Sequence, residues 1–102
     1  MALPRVIVVE DDPALRGFVG AALHGDDIGL VLCCDIAQAV VALQSEPQAC
    51  LVLTDLNLHR ESGLTLIERL ADDPRLRRSA RVAVFSANID AAKRQHLAQL
   101  GV

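Results

Sequence analysis

Four short apolar runs constrain this chain most: RVIVV (Arg5 to Val9), IGLVLCC (Ile28 to Cys34), ACLVLT (Ala49 to Thr54) and RVAVFS (Arg81 to Ser86). The first is a continuous β-branched run with no polar alternation, as in a central parallel strand covered on both faces. Between the runs, apolar residues recur at helical spacing. Leu15, Phe18, Val19, Ala22 and Leu23 follow the first run, and Ile36, Ala39, Val40 and Leu43 the second. Leu64, Ile67, Leu70 and Ala71 follow the third. Asp12-Pro13 reads as an N-cap with proline at the first helical position. Asp35 and Asp90 are placed to cap the second and last helices, Ser62-Gly63 opens the third, Asp72 to Pro74 closes it, and Gly101 ends the last. The order βαβαβαβα with short connections predicts one α/β domain over residues 1–102, with a parallel sheet and right-handed crossovers.

The chain has 102 residues, 52% of them hydrophobic, enough for one domain with a real core. Its formal net charge is −3. The densest positive stretch, RLRRSAR (Arg75 to Arg81), lacks interleaved aromatics and reads as a solvated loop, not a nucleic-acid surface. Cys33, Cys34 and Cys50 show no metal-ligand spacing and read as reduced thiols in a cytoplasmic protein. The apolar N-terminal run is too short for a signal peptide or membrane span.

The polar residues fall at the carboxyl ends of the predicted strands, where open α/β sheets bind their ligands. Glu10, Asp11 and Asp12 end the first run, Asp55 the third, and Ser86, Ala87 and Asn88 the fourth. Singly these are ordinary cap and turn residues. Together they crowd like charges at one sheet edge, which calls for a counterion. Hard oxygen donors without His or Cys suit Mg²⁺, which keeps waters and accepts a phosphate oxygen. No P-loop or dinucleotide fingerprint is present. Asp55 is then best read as a nucleophile that accepts a phosphoryl group, with the Ser86 hydroxyl near the product.

VIVVEDDPALR (Val6 to Arg16), LVLTDLNLHRESGL (Leu51 to Leu64) and VAVFSAN (Val82 to Asn88) resemble the receiver domain of two-component response regulators, across essentially the whole chain. The resemblance implies a flavodoxin-like sheet of strand order 2-1-3-4-5. It implies Asp55 as the phosphorylation site, Glu10 and Asp11 as the acid pair for Mg²⁺, and Asn57 as a backbone-carbonyl ligand. It also implies Ser86 as the switch hydroxyl, Ala87 as the small residue beside it, and Gly63 as the glycine opening the third helix. The implied partner is a sensor histidine kinase or a phosphotransfer protein.

The chain departs from the pattern twice. His59 replaces the usual proline, and it, His24 and His96 read as surface residues. The family's fifth strand, with its terminal lysine, and fifth helix, roughly twenty residues with their loops, are not found before Val102. Lys93 lies in the fourth helix pattern and does not replace that lysine. The fourth strand is therefore expected to be an exposed edge, open to self-association. Two other readings stay open: a degenerate receiver that only binds partners, and a phosphotransferase using the same Asp–Mg²⁺ chemistry. Asn57 argues against the enzyme, which usually has a second acid at that position.

Overall fold

The computed structural model describes residues 4–45, 50–58, 60–85 and 89–102. In it β1 (Arg5–Val9) lies between β2 (Gly29–Cys33) and β3 (Cys50–Asp55). β6 (Ala80–Phe85) pairs with the far side of β3, and all three pairings are parallel. The order β2-β1-β3-β6 is the one the family resemblance implies for its first four strands. Central placement explains the composition of β1: Val6, Ile7, Val8 and Val9 are all buried.

Side chains alternate across a strand, so one face carries Ile7, Val9, Cys33, Cys50 and Val52. These pack with Ile36, Ala39, Val40 and Leu43 of α2 (Ile36–Ser45) and with Leu66 and Leu70 of α3 (Gly63–Asp72). Full burial of an aliphatic side chain contributes about 1.5–3 kcal/mol, so this layer is the main source of stability. Leu56, Ile67 and Leu97 form a second cluster, the last from α5 (Ala91–Gln99).

The capping grammar holds. The Asp12 carboxylate accepts from the amides of Ala14 and Leu15 ahead of Pro13, the first residue of α1 (Pro13–Leu23). Asp35 accepts from Gln38 N, Ser62 from Leu64 N and Asp90 from Lys93 N. Gly101 has φ +86°. Its amide donates to Ala98 O and that of Val102 to Leu97 O, the paired bonds of a Schellman ending.

Three features depart from the sequence pattern. Asp73-Pro74 does not merely close α3; it starts α4 (Pro74–Ser79). Asp73 accepts from Arg75 N at 3.0 Å, repeating the Asp12-Pro13 arrangement. The arginine-rich stretch expected as a loop is therefore largely helical. A two-residue hairpin, β4 (Asn57–Leu58) with β5 (Glu61–Ser62), follows β3 and was not foreseen. Finally, Leu15 and Phe18 fall in the helical spacing of α1, yet Phe18 is 72% exposed. Gly20 is the buried residue of α1, and a Cβ there would stand 3.1 Å from Leu32. The helix thus meets the sheet through Gly20 and leaves Leu32 and Leu51 partly open. Among the described residues, no helix is long and apolar enough to cross a membrane.

Candidate functional site

The parallel register aligns the carboxyl ends of the strands. Val9 lies level with Cys33 and Thr54, and Asp55 level with Phe85. One residue beyond β1, the amide of Glu10 donates to Cys33 O at 3.0 Å. Over this edge opens a concavity of about 740 Å³. Glu10, Asp11, Asp12, Asp35, Asp55 and Glu61 supply its acid groups, and Arg60 stands on its wall.

Glu10 is only 2% exposed. Its Oε1 accepts from Asp12 N at 3.0 Å, while its buried Oε2 has no partner among the described residues. Burial pushes its carboxyl from 4.5 up to about 7. The neighbouring Asp55 and Asp11 carboxyls push the same way, and the bond from Asp12 N opposes them. The Arg16 guanidinium donates to Glu10 O at 2.9 Å, tying α1 to this turn.

Asp55 ends β3. Its Oδ1 accepts from Asn57 N at 2.9 Å, which turns the chain into the hairpin. Gly63 N donates to Leu56 O at 2.9 Å and closes the loop. A Cβ on Gly63 would collide with the carbonyl oxygen of Asp55 and come within 3.0 Å of Leu56 Cα. Both obstacles are backbone and cannot rotate away. Gly63→Ala is expected to destabilise the fold by about 1–3 kcal/mol, roughly 4–8 °C of melting temperature per kcal/mol. Circular dichroism melts of the two proteins measure the loss, and equal melting temperatures would show that the loop tolerates a methyl group.

Of the residues singled out in the sequence, Glu10, Asp11, Asp55 and Asn57 come together here. Ser86, Ala87 and His59 lie outside the described residues. His24 follows α1, and His96 stands 3.7 Å from Glu68, with neither lining the concavity. Cys33 and Cys50 are buried, and burial pushes the Cys33 thiol up. Arg60 and Glu61 were not anticipated, because their position depends on the hairpin.

Among the described residues, no three His, Cys, Asp or Glu side chains already form a metal cluster. A divalent cation nonetheless fits the donor set. The orphaned Oε2 of Glu10 is an unfilled acceptor beside two further carboxylates, and Mg²⁺ needs only one or two carboxylates with water completing its shell.

The chain matches the response regulator receiver domain family over residues 6–102. It is similar to a response regulator receiver protein from Pseudomonas putida, at 28% identity and TM-score 0.87, covering 100% of this chain and 83% of that one. A phosphorylated cyanobacterial phytochrome response regulator, RcpA, is 28% identical with TM-score 0.82, over 99% of this chain and 77% of that one. A sensor protein from Polaromonas sp. JS666 is 29% identical with TM-score 0.80, over 95% and 76%. No curated protein is similar enough to count as a match.

Proposed function

The chain belongs to the response regulator receiver domain family, and on that premise we propose that Asp55 accepts a phosphoryl group in a two-component signalling pathway. The donor is a phosphohistidine on a sensor kinase or phosphotransfer protein, and the setting is the cytoplasm. A relative of 28% identity is described as phosphorylated, in keeping with this reading. The single observation that carries it is the unpartnered, buried Oε2 of Glu10 beside Asp11 and Asp55.

Receiver domains typically bind Mg²⁺, and when bound it neutralises the phosphoryl oxygens as charge builds on them. Glu10 and Asp11 would hold it, with Asp55 and the backbone carbonyl of Asn57. Asn57 N fixes one oxygen of Asp55, and the other attacks phosphorus. A P–N bond breaks, an acyl P–O bond forms, and the histidine nitrogen leaves with the electron pair. Ser86 would then turn its hydroxyl to the phosphate, with Ala87 leaving space. Lys93, the chain's one lysine, sits on α5 and does not line the concavity. Labelling of this 102-residue chain should therefore be slow.

Incubation with a small phosphodonor and Mg²⁺ should add one base-labile phosphate, read by intact mass. A chain that binds Mg²⁺ but stays unlabelled would overturn the phospho-acceptor reading in favour of a module that only binds partners.

The finer partner reading concerns β6, the edge strand among the described residues. It contains no proline, its one charge is Arg81, and Val82, Val84 and Phe85 are only partly buried. Edge strands of this kind template pairing with another chain, so β6 is expected to pair with a second copy. Light scattering over a concentration series should show association, and a monomer at every concentration would refute it.

A further inference from the structure

The hairpin that follows Asp55 is fastened to a distant helix. Glu61 Oε1 accepts from the backbone amide of Ile36, the first residue of α2, at 2.9 Å. The two residues are 25 positions apart in the chain. The nearby amides at this end of α2 have other partners: Cys34 N donates to Gln38 Oε1, and Gln38 N to Asp35 Oδ1. Asp35 is thus the local cap and Glu61 a remote one, and only Glu61 serves Ile36. Leu58, level with Glu61 across the hairpin, is buried in the core cluster that includes Ile36. One strand of the hairpin is held by apolar contact and the other by a charge-assisted bond at a helix N-terminus.

This anchorage leads to the acid cluster by a short route. Leu58 adjoins Asn57, whose amide holds Asp55 Oδ1. Ser62, paired with Asn57, precedes Gly63, whose amide holds Leu56 O. Glu61 and Asp35 both line the concavity, so the bond lies at its edge. We propose that Glu61 is the positioning residue of this site: by capping α2 it holds the hairpin, and with it Asp55 and Asn57, in register with Glu10. Its consequence for phosphorylation rests on the phospho-acceptor reading. The tie itself does not.

Three variants separate the bond from the charge. Glu61→Gln keeps an acceptor oxygen and loses the charge. Glu61→Asp keeps the charge and is too short to reach Ile36. Glu61→Ala loses both. Amide exchange by NMR on the full chain should quicken about tenfold or more at Ile36, Asn57 and Gly63 in the Asp and Ala variants, with β1 unchanged. The Mg²⁺-induced rise in melting temperature should shrink in the same two variants, and the Gln variant should restore both readouts. Unchanged exchange at Asn57 and Gly63 in the Asp variant would overturn the proposal. So would a Gln variant that behaves like Ala, because an acceptor oxygen at Ile36 N would then not be enough to hold the hairpin. If the exchange pattern appears while the wild type takes no phosphate at Asp55, the tie stands and the phospho-acceptor reading falls.

Discussion

Asp55→Asn should take up no phosphate from a small phosphodonor under conditions that label the wild type. The Asn amide oxygen is neutral and a far weaker nucleophile than a carboxylate, and its attack would give a cationic imidate, not an acyl phosphate. The substitution is otherwise mild. Asn retains an oxygen that can accept from Asn57 N, the bond that Asp55 Oδ1 makes at 2.9 Å. The hairpin and Gly63 contact should survive, and melts in the absence of Mg²⁺ should change little or rise slightly, since one of three crowded carboxylates becomes neutral. Intact mass before and after mild base is the measurement. Phosphate that persists on Asp55→Asn would place the acceptor elsewhere, with Asp11 the first position to examine.

Metal-free protein should lose stability as pH rises from about 4.5 to 7, the opposite of the usual carboxylate behaviour. Glu10 has its folded value raised from 4.5 to about 7, chiefly by burial. Below 4.5 both folded and unfolded chains carry the proton, and nothing is lost. Between the two values the unfolded chain ionises while the folded chain holds its proton, so stability falls with pH. Above 7 the loss levels off. Mg²⁺ requires the ionised form, so its stabilising effect should be large at pH 8 and small at pH 5. Glu10→Gln should therefore stabilise the metal-free protein at pH 8 and weaken its response to Mg²⁺, which keeps Asp11 and Asp55. Its amide also supplies a permanent donor toward the Asp11 and Asp55 carboxyls, which Glu10 offers only while it holds its proton. Melts at pH 5 and 8, with and without Mg²⁺, measure all four states. A Glu10→Gln protein less stable than wild type at pH 8 without metal would show that Glu10 is not under this burden.

Such a trade, stability given up to keep an acid ready for metal, is common at functional sites. It also separates what is local in this chain from what is not. Residue order alone determined the four sheet strands, since runs such as Val6 to Val9 bury only as central parallel strands. It determined the caps at Asp12, Asp35, Ser62 and Asp90, because a cap acts within three residues of itself. It determined that Glu10, Asp11 and Asp55 share one edge, because parallel crossovers return every strand in the same direction. The helix at Pro74 follows the same cap-then-proline rule as the one at Pro13, since Asp73 accepts from Arg75 N as Asp12 does from Ala14 N.

Tertiary structure decided the rest. The two-residue strands of the hairpin carry no periodicity, and only the fastening at Leu58 and Glu61 gives them a place. Glu61 and Ile36 lie 25 residues apart, beyond any local pattern. The exposure of Phe18 follows from how α1 leans on Leu32 through Gly20, not from its own helical spacing. The orphaned oxygen of Glu10 exists only because folding removes water from that carboxyl and brings two others beside it. A sequence shows which groups are acidic; the dielectric and the neighbours that set their chemistry come from packing across the chain.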